Sequence, residues 1–435
     1  MTIQLTTLGH GLRVVTEHLP GARSVTTGFW VGVGGRDEAP GEAGASHFLE
    51  HLLFKGTADR SAVAIAEAID AVGGEMNAFT AQEHTAYYTR LPAGELGLGL
   101  DVLSDVVWSP ACRADDVEAE RRVILDELAM EEDTPDDRVV VLLGEGLFPD
   151  HELGREVLGS RETIGGMTRD DIVEFHRRWY RPPNVVVAVA GALDHDEVVA
   201  GVAARFVGDL AADGADEGPA DGSPVRTAPV LPPRPYMSLS RSTEQAYLAV
   251  GYRGLSRDDP DRFALSIANQ VLGGGVSSRL FQKIREERGL AYTVQSYPIT
   301  YADAGAFVVY AGTAPDQLGE VLDLVDDEIS RFVDDGPTPA ELRVASGYLV
   351  GSTLLGLEDS GGCMSRIGKA VLNHGEVLDL DALLDHYRAV TADDVLRVSR
   401  AVLGGDERTV AVVGRGRSLS RFASRAGAIR QRSGT

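Results

Sequence analysis

The sequence predicts an α+β protein of two homologous domains, each an antiparallel or mixed sheet with helices packed mainly on one face. Three observations lead there. First, Met167 to Gly191 (MTRDDIVEFHRRWYRPPNVVVAVAG) aligns without gaps to Val390 to Gly414 (VTADDVLRVSRAVLGGDERTVAVVG), at a constant offset of 223 residues. Each copy reads as a capped amphipathic helix, a turn and a buried strand ending in glycine. In both, Thr precedes two Asp, which supplies a cap and negative charge at a helix N-terminus. Second, short strands follow one another closely and stand apart from runs of helix. Third, residues 211–235 (AADGADEGPADGSPVRTAPVLPPRP) hold almost no large apolar side chain and read as a linker. The expected division is therefore 1–210, a linker at 211–235, 236–414, and a basic tail at 415–435.

In the first half, strands are expected near 12–17 and 25–33, followed by a helix around HFLEHLLF that stops at Gly56. A second helix near 62–72 halts at Gly73 and Gly74, and strands near 75–80 and 84–91 come next. Helix dominates from about 93 to 148, and the second half repeats that order. The triplet Gly273, Gly274, Gly275 lacks the Gly-Lys-Ser or Gly-Lys-Thr ending of a phosphate loop and is assigned to a turn.

Composition narrows the function classes. A chain of 435 residues exceeds what one hydrophobic core usually serves, which supports two domains. No apolar run approaches the ~20 residues that span a bilayer, so no membrane partner is expected. A net charge of −25 argues against nucleic acid, whose binding rests on Lys and Arg. The opening MTIQLTTLGHGLRVV lacks the basic start and apolar run of a secretory signal, and Cys112 and Cys363 are the only cysteines. Both features suit a cytoplasmic protein. Arg415, Arg417, Arg421, Arg425, Arg430 and Arg432, spread among Ser, Gly and Ala, read as a mobile terminus.

The chemistry is concentrated in His47, Phe48, Leu49, Glu50 and His51, an H-x-x-E-H run on a helical pattern. Two histidines four residues apart project from one helix face, close enough to share a metal ion. Zinc held by neutral imidazoles acidifies a water, and a neighbouring carboxylate that is not a ligand can take its proton. That role falls to Glu50. A catalytic zinc usually takes three protein ligands, so one more must come from elsewhere. Residues 114–133, ADDVEAERRVILDELAMEED, offer a helical ladder of acids in which Glu120 and Glu127 lie seven apart on one face. Spacing does not choose between them: one could bind metal while the other supports an imidazole.

The segments HFLEH followed by LLFKGT, then GGEMNAFTAQEHTAYY, then ERRVILDELAMEEDTPDD resemble the pitrilysin and insulinase family of zinc endopeptidases. They are most similar to the catalytic subunit of mitochondrial processing peptidase and its bacterial homologues, across most of residues 8–414. The resemblance implies one zinc per chain, held by His47, His51 and Glu127, with Glu120 as the supporting acid. It implies that Glu75 to Thr80 is an edge strand aligning substrate backbone, with Asn77, Ala78 and Phe79 in that contact. By themselves these residues read as an ordinary hairpin, with Glu83 and His84 as surface polar residues. Arg285 and Tyr292 alone read as an exposed charge and a strand aromatic; the resemblance makes them donors to the carbonyl oxygen during attack.

The implied activity is zinc-dependent endopeptidase action on unstructured or presequence-like peptides inside a closed chamber. A homodimer is expected, or a heterodimer with an inactive homologue. The alternative is a non-catalytic structural or peptide-binding subunit with the same fold. The acids Glu131, Glu132, Asp133, Asp136 and Asp137, with the overall charge, suggest attraction of basic peptides.

Overall fold

A computed structural model of the chain describes residues 2–206, 224–416, 419 and 422–423. The strands, in chain order, are β1 (Thr2–Thr7), β2 (Arg13–His18), β3 (Ser24–Val31), β4 (Glu75–Thr80), β5 (Thr85–Pro92), β6 (Val185–Gly191), β7 (Tyr236–Ser240), β8 (Ala246–Arg253), β9 (Ala291–Thr300), β10 (Gly305–Thr313) and β11 (Arg408–Gly414). The first helices are α1 (Ala45–Leu53), α2 (Ala62–Asp70), α3 (Leu96–Trp108), α4 (Ala114–Asp133), α5 (Pro135–Leu147), α6 (Arg161–Gly166), α7 (Arg169–Trp179) and α8 (His195–Arg205). They continue with α9 (Arg262–Leu272), α10 (Leu318–Asp335), α11 (Pro339–Gly356), α12 (Ser360–His374), α13 (Leu380–Ala389) and α14 (Ala392–Leu403).

Two mixed sheets result. The first runs β1-β2-β6-β3-β5-β4 and the second β7-β11-β8-β10-β9. Without β1, the first order maps onto the second position by position. Among the described residues the only parallel pairs, β2 with β6 and β7 with β11, fall at the same place in each. The repeat seen in sequence is therefore a repeat of topology. Its caps are also present: Thr168 and Thr391 each accept a backbone N–H three residues on, from Asp171 and Asp394, whose side chains bond back. Such a cap contributes about 1 kcal/mol. The strand β1 escapes the sequence pattern because it is a largely exposed edge whose Thr and Gln side chains show no apolar alternation.

The compact units are not the contiguous halves of the chain. One comprises residues 1–128, 156–225 and 354–378, the other 129–155, 226–353 and 379–435. This division differs from the expected 1–210 and 236–414 because each sheet has two faces to bury. In β3, Val25, Phe29 and Val31 enter the first unit's main core. On the opposite face, Thr26 bonds Ser360 (2.8 Å) and the Trp30 indole N–H points at Met364 Sδ (3.2 Å), so α12 covers this face. The approach is close: a Cβ on Gly28 would lie 2.4 Å from Met364 Sδ, and one on Gly368 would lie 2.3 Å from Trp30 Nε1. In the second unit Leu248, Val250 and Tyr252 face one core, while Ala249 packs with Leu143 and Leu147 of α5. A helix's own pattern shows that it has an apolar face, and not which sheet receives it.

Of the expected linker, residues 211–223 lie outside the described residues, and 224–235 form no helix or strand. Most of the expected basic tail, including Arg417, Arg421, Arg425, Arg430 and Arg432, also lies outside them. Among the described residues no helix is long and apolar enough to cross a membrane.

Candidate metal centre

The helix that carries His47, Glu50 and His51, α1, is fixed at its start and along its back. Glu38, itself buried, accepts hydrogen bonds from the backbone N–H groups of Gly44 and Ser46, both at 2.7 Å, and so caps α1. Phe48, Leu49, Leu52 and Leu53 are fully buried, which leaves His47, Glu50 and His51 half-buried on the other side. The 3.6-residue period alone sorts the helix into a packing face and a chemical face.

His47, His51 and Glu127 form the one group of three such side chains, among the described residues, whose ligand atoms could hold a metal ion. The two imidazole Nε2 atoms lie 3.3 Å apart. Glu127 Oε2 is 3.7 Å from that of His47 and 3.5 Å from that of His51. A point equidistant from the three atoms lies about 2.0 Å from each, which is the Zn–N and Zn–O bond length. The two-histidine, one-glutamate donor set is also one that catalytic zinc sites use. The residues fit the ion.

Tertiary packing thereby decides between the two acids. Glu127 faces both Nε2 atoms, whereas Glu120 Oε2 meets His51 Nδ1 at 3.1 Å on the far side of the ring. Glu120 is only 5% exposed, and its other oxygen is 2.7 Å from Lys55 Nζ. Burial first, and then the charge of His51, pull His47 down to about 4, so its imidazole is neutral and ligand-ready at pH 7.

Glu50 stands beside the triangle and outside it. Its Oε2 accepts a hydrogen bond from Thr80 Oγ1. Burial pushes its carboxyl above the ordinary range, the Thr80 bond and His51 pull it back, and Glu127 adds to the rise. A carboxylate raised in this way is a better proton acceptor at neutral pH.

Thr80 closes β4, which is the edge of the first sheet and, among the described residues, pairs only with β5. Asn77 is exposed, and its Oδ1 accepts the Ala78 N–H at 2.8 Å. Phe79 is half-buried and packs edge-on against Trp30 at 5.6 Å. Alongside β4 lies a cavity of about 480 Å³ lined by Phe54, Ile65, Ile69 and Met76, with Asp70 and Glu75 at its wall. Glu83 is not the surface residue that the hairpin pattern suggests: it is buried and paired with the equally buried Arg36 at 2.6 Å. His84 is half-buried, 5.5 Å from Trp30 between ring centroids.

Arg285 and Tyr292 belong to the second unit, which brings them together. Arg285 lies in a π-helical turn, Phe281–Glu286, that the sequence pattern does not show. Its guanidinium sits over Phe281 at 4.7 Å and over Tyr292 at 5.0 Å, and Tyr292 is 76% exposed. Of the acids beyond Glu127, Glu131 is 3.6 Å from Arg138, so part of that cluster is internally paired.

Two duplicated α+β units and a His-His-Glu triangle with a spare carboxylate define the class as an inverted-motif zinc peptidase fold. A sequence model described as Insulinase (Peptidase family M16) matches residues 13–161, and one described as Peptidase M16 inactive domain matches residues 166–346. Among relatives named as uncharacterized zinc proteases, one from Streptomyces coelicolor is 48% identical over 409 residues, covering 93% of this chain and 88% of its own. Another, from Bacillus subtilis, is 36% identical over 400 residues, covering 92% and 95%. The crystal structure of a protease from Helicobacter pylori superposes with a TM-score of 0.84 over 95% of this chain and 99% of that one; at 22% identity this shows the shared fold. The chain belongs to the insulinase family, peptidase family M16.

Proposed function

We propose that the protein is a zinc-dependent endopeptidase acting on unstructured peptides. The observation that carries this reading is the ligand triangle of His47, His51 and Glu127 with Glu50 poised beside it and not part of it. His47, His51 and Glu127 would hold one ion per chain. When bound, zinc supplies Lewis acidity, polarising a carbonyl and acidifying water. Glu50 takes the proton from the attacking water and delivers it to the leaving amine. The free edge of β4 adds the substrate as an extended strand, so backbone hydrogen bonds bind it largely without regard to sequence. The neighbouring cavity accepts one side chain, and its two acids favour basic neighbours. Arg285 and Tyr292 are the donors to the carbonyl oxygen as it gains charge.

The reading extends to a chamber that closes around the peptide and to two assembled chains. A homodimer suffices, because this chain carries both the metal motif and the Arg-Tyr pair; a heterodimer with an inactive homologue is the other arrangement. A reducing, cytoplasmic location is supported by Cys112 and Cys363, both buried and unpaired.

The test is cleavage mapping on a mixed peptide library, at low and high salt, with the parent and Glu50→Gln. The parent should cut flexible peptides, with Arg or Lys enriched near the site at low salt. Glu50→Gln should retain zinc and lose at least about 100-fold in rate. Equal cleavage by the variant would remove Glu50 from its role. Zinc-loaded parent that cuts nothing would favour the structural or peptide-binding subunit.

A further inference from the structure

His47, His51 and Lys55 recur every four residues along α1 and the turn after it, so their side chains leave one stripe. Glu127 and Glu120 form a matching stripe on α4. The stripes meet twice: Glu127 at the two Nε2 atoms, and Glu120 between His51 Nδ1 at 3.1 Å and Lys55 Nζ at 2.7 Å. Both oxygens of a nearly fully buried carboxylate are thus occupied. Lys55 is held in place just beyond the helix. Its N–H bonds Leu52 O at 3.0 Å, and Gly56, at φ +117°, turns the chain away; a Cβ there would meet Arg60 O at 2.5 Å.

We infer that Lys55 is a positioning residue of the metal centre: acting through Glu120, it keys His51 so that Nε2 faces the ion, and it keeps Glu120 out of the ligand set. The inference rests on the metal-binding part of the proposed function. A carboxylate that accepts from Nδ1–H fixes the tautomer that leaves the Nε2 lone pair free. A buried carboxylate deprived of its cation is left uncompensated, and it then seeks another positive partner or turns away. Either movement releases His51. No second support compensates, because among the described residues the Nδ1 of His47 is buried without a hydrogen-bond partner. One imidazole of the pair is keyed, and Lys55 is the outer end of the key.

The test titrates zinc into metal-free full-length protein against a chromophoric chelator, so no activity is read. Lys55→Met should weaken zinc binding about 10-fold or more, within the range that such supporting partners supply. Lys55→Arg should restore most of it, which a merely packing role would not predict. Glu120→Gln should also weaken binding, and the double variant should bind no more weakly than Glu120→Gln alone, because both act through one chain of contacts. Thermal unfolding of each metal-free variant identifies any loss of fold. Parent-like zinc affinity in Lys55→Met, or additive losses in the double variant, would overturn the inference while leaving the metal reading intact. A parent that binds no zinc would overturn both.

Discussion

The helix after β3 in the first sheet and the helix after β8 in the second occupy the same place in a repeated frame, yet carry opposite kinds of side chain. In α1, Phe48, Leu49, Leu52 and Leu53 pack inward while His47, Glu50 and His51 stay half-buried on the open face. In α9, Phe263, Leu265, Ile267, Val271 and Leu272 are buried and the helix has no His, Asp or Glu. Strand order and capping boxes are preserved between the units because they rest on backbone pairing and local caps, which tolerate many side chains. The chemistry is not preserved, because it needs particular side chains on one helical stripe. A shared fold therefore says little about which unit is active.

The largest expected effect is from Glu127→Gln, which removes one of the three proposed ligands from the first unit. Zinc retained after dialysis should fall towards none, whereas Glu120→Gln should retain a weaker site. Zinc retained by Glu127→Gln but lost in Glu120→Gln would exchange the two roles.

Next come Arg285→Met and Tyr292→Phe in the second unit. Each should lower kcat roughly 100-fold, the order associated with losing one oxyanion donor. Zinc content should not change. Loss of metal in either variant would show that the second unit helps to hold the ion.

Acid should separate the units in the metal-free protein. His47 sits at about 4 against an ordinary 6.5, so the stability tied to its neutral form is complete above pH 6.5 and is lost as pH falls towards 4. In the second unit, burial disfavours the Glu341 charge, but hydrogen bonds from Arg279 and Thr338 outweigh it and hold the carboxyl at about 2 against 4.5. That contribution is complete above pH 4.5 and is lost as pH falls towards 2. Hydrogen exchange followed in each unit should show the first loosening at the higher pH; loosening in the reverse order would break the contrast.

The smallest effect should be Thr80→Val, which removes the donor to Glu50. A hydrogen bond to a carboxylate contributes about 1.5 kcal/mol or more, so kcat should fall about 10-fold with KM unchanged and Thr80→Ser close to the parent. An unchanged kcat would show that Glu50 is oriented by α1 alone.

The sequence by itself determined whatever is local. Spacing placed His47 and His51 on one face, the Thr and Asp pairs marked two helix starts, and the 75–80 and 84–91 runs became β4 and β5. Lys55 was within reach of the same rule, one helical turn past His51, but a lone Lys on that stripe carries no signal until its partner is seen. Only the tertiary structure decided the rest. Glu120 and Glu127 share a helix face, so the packing of α4 on α1 alone selects which carboxylate reaches Nε2. Glu83 became a buried ion-pair partner, and α5 and α12 went to sheets that no local pattern names. Periodicity fixes which way a side chain leaves its own element, but not what another element, remote in sequence, brings to meet it.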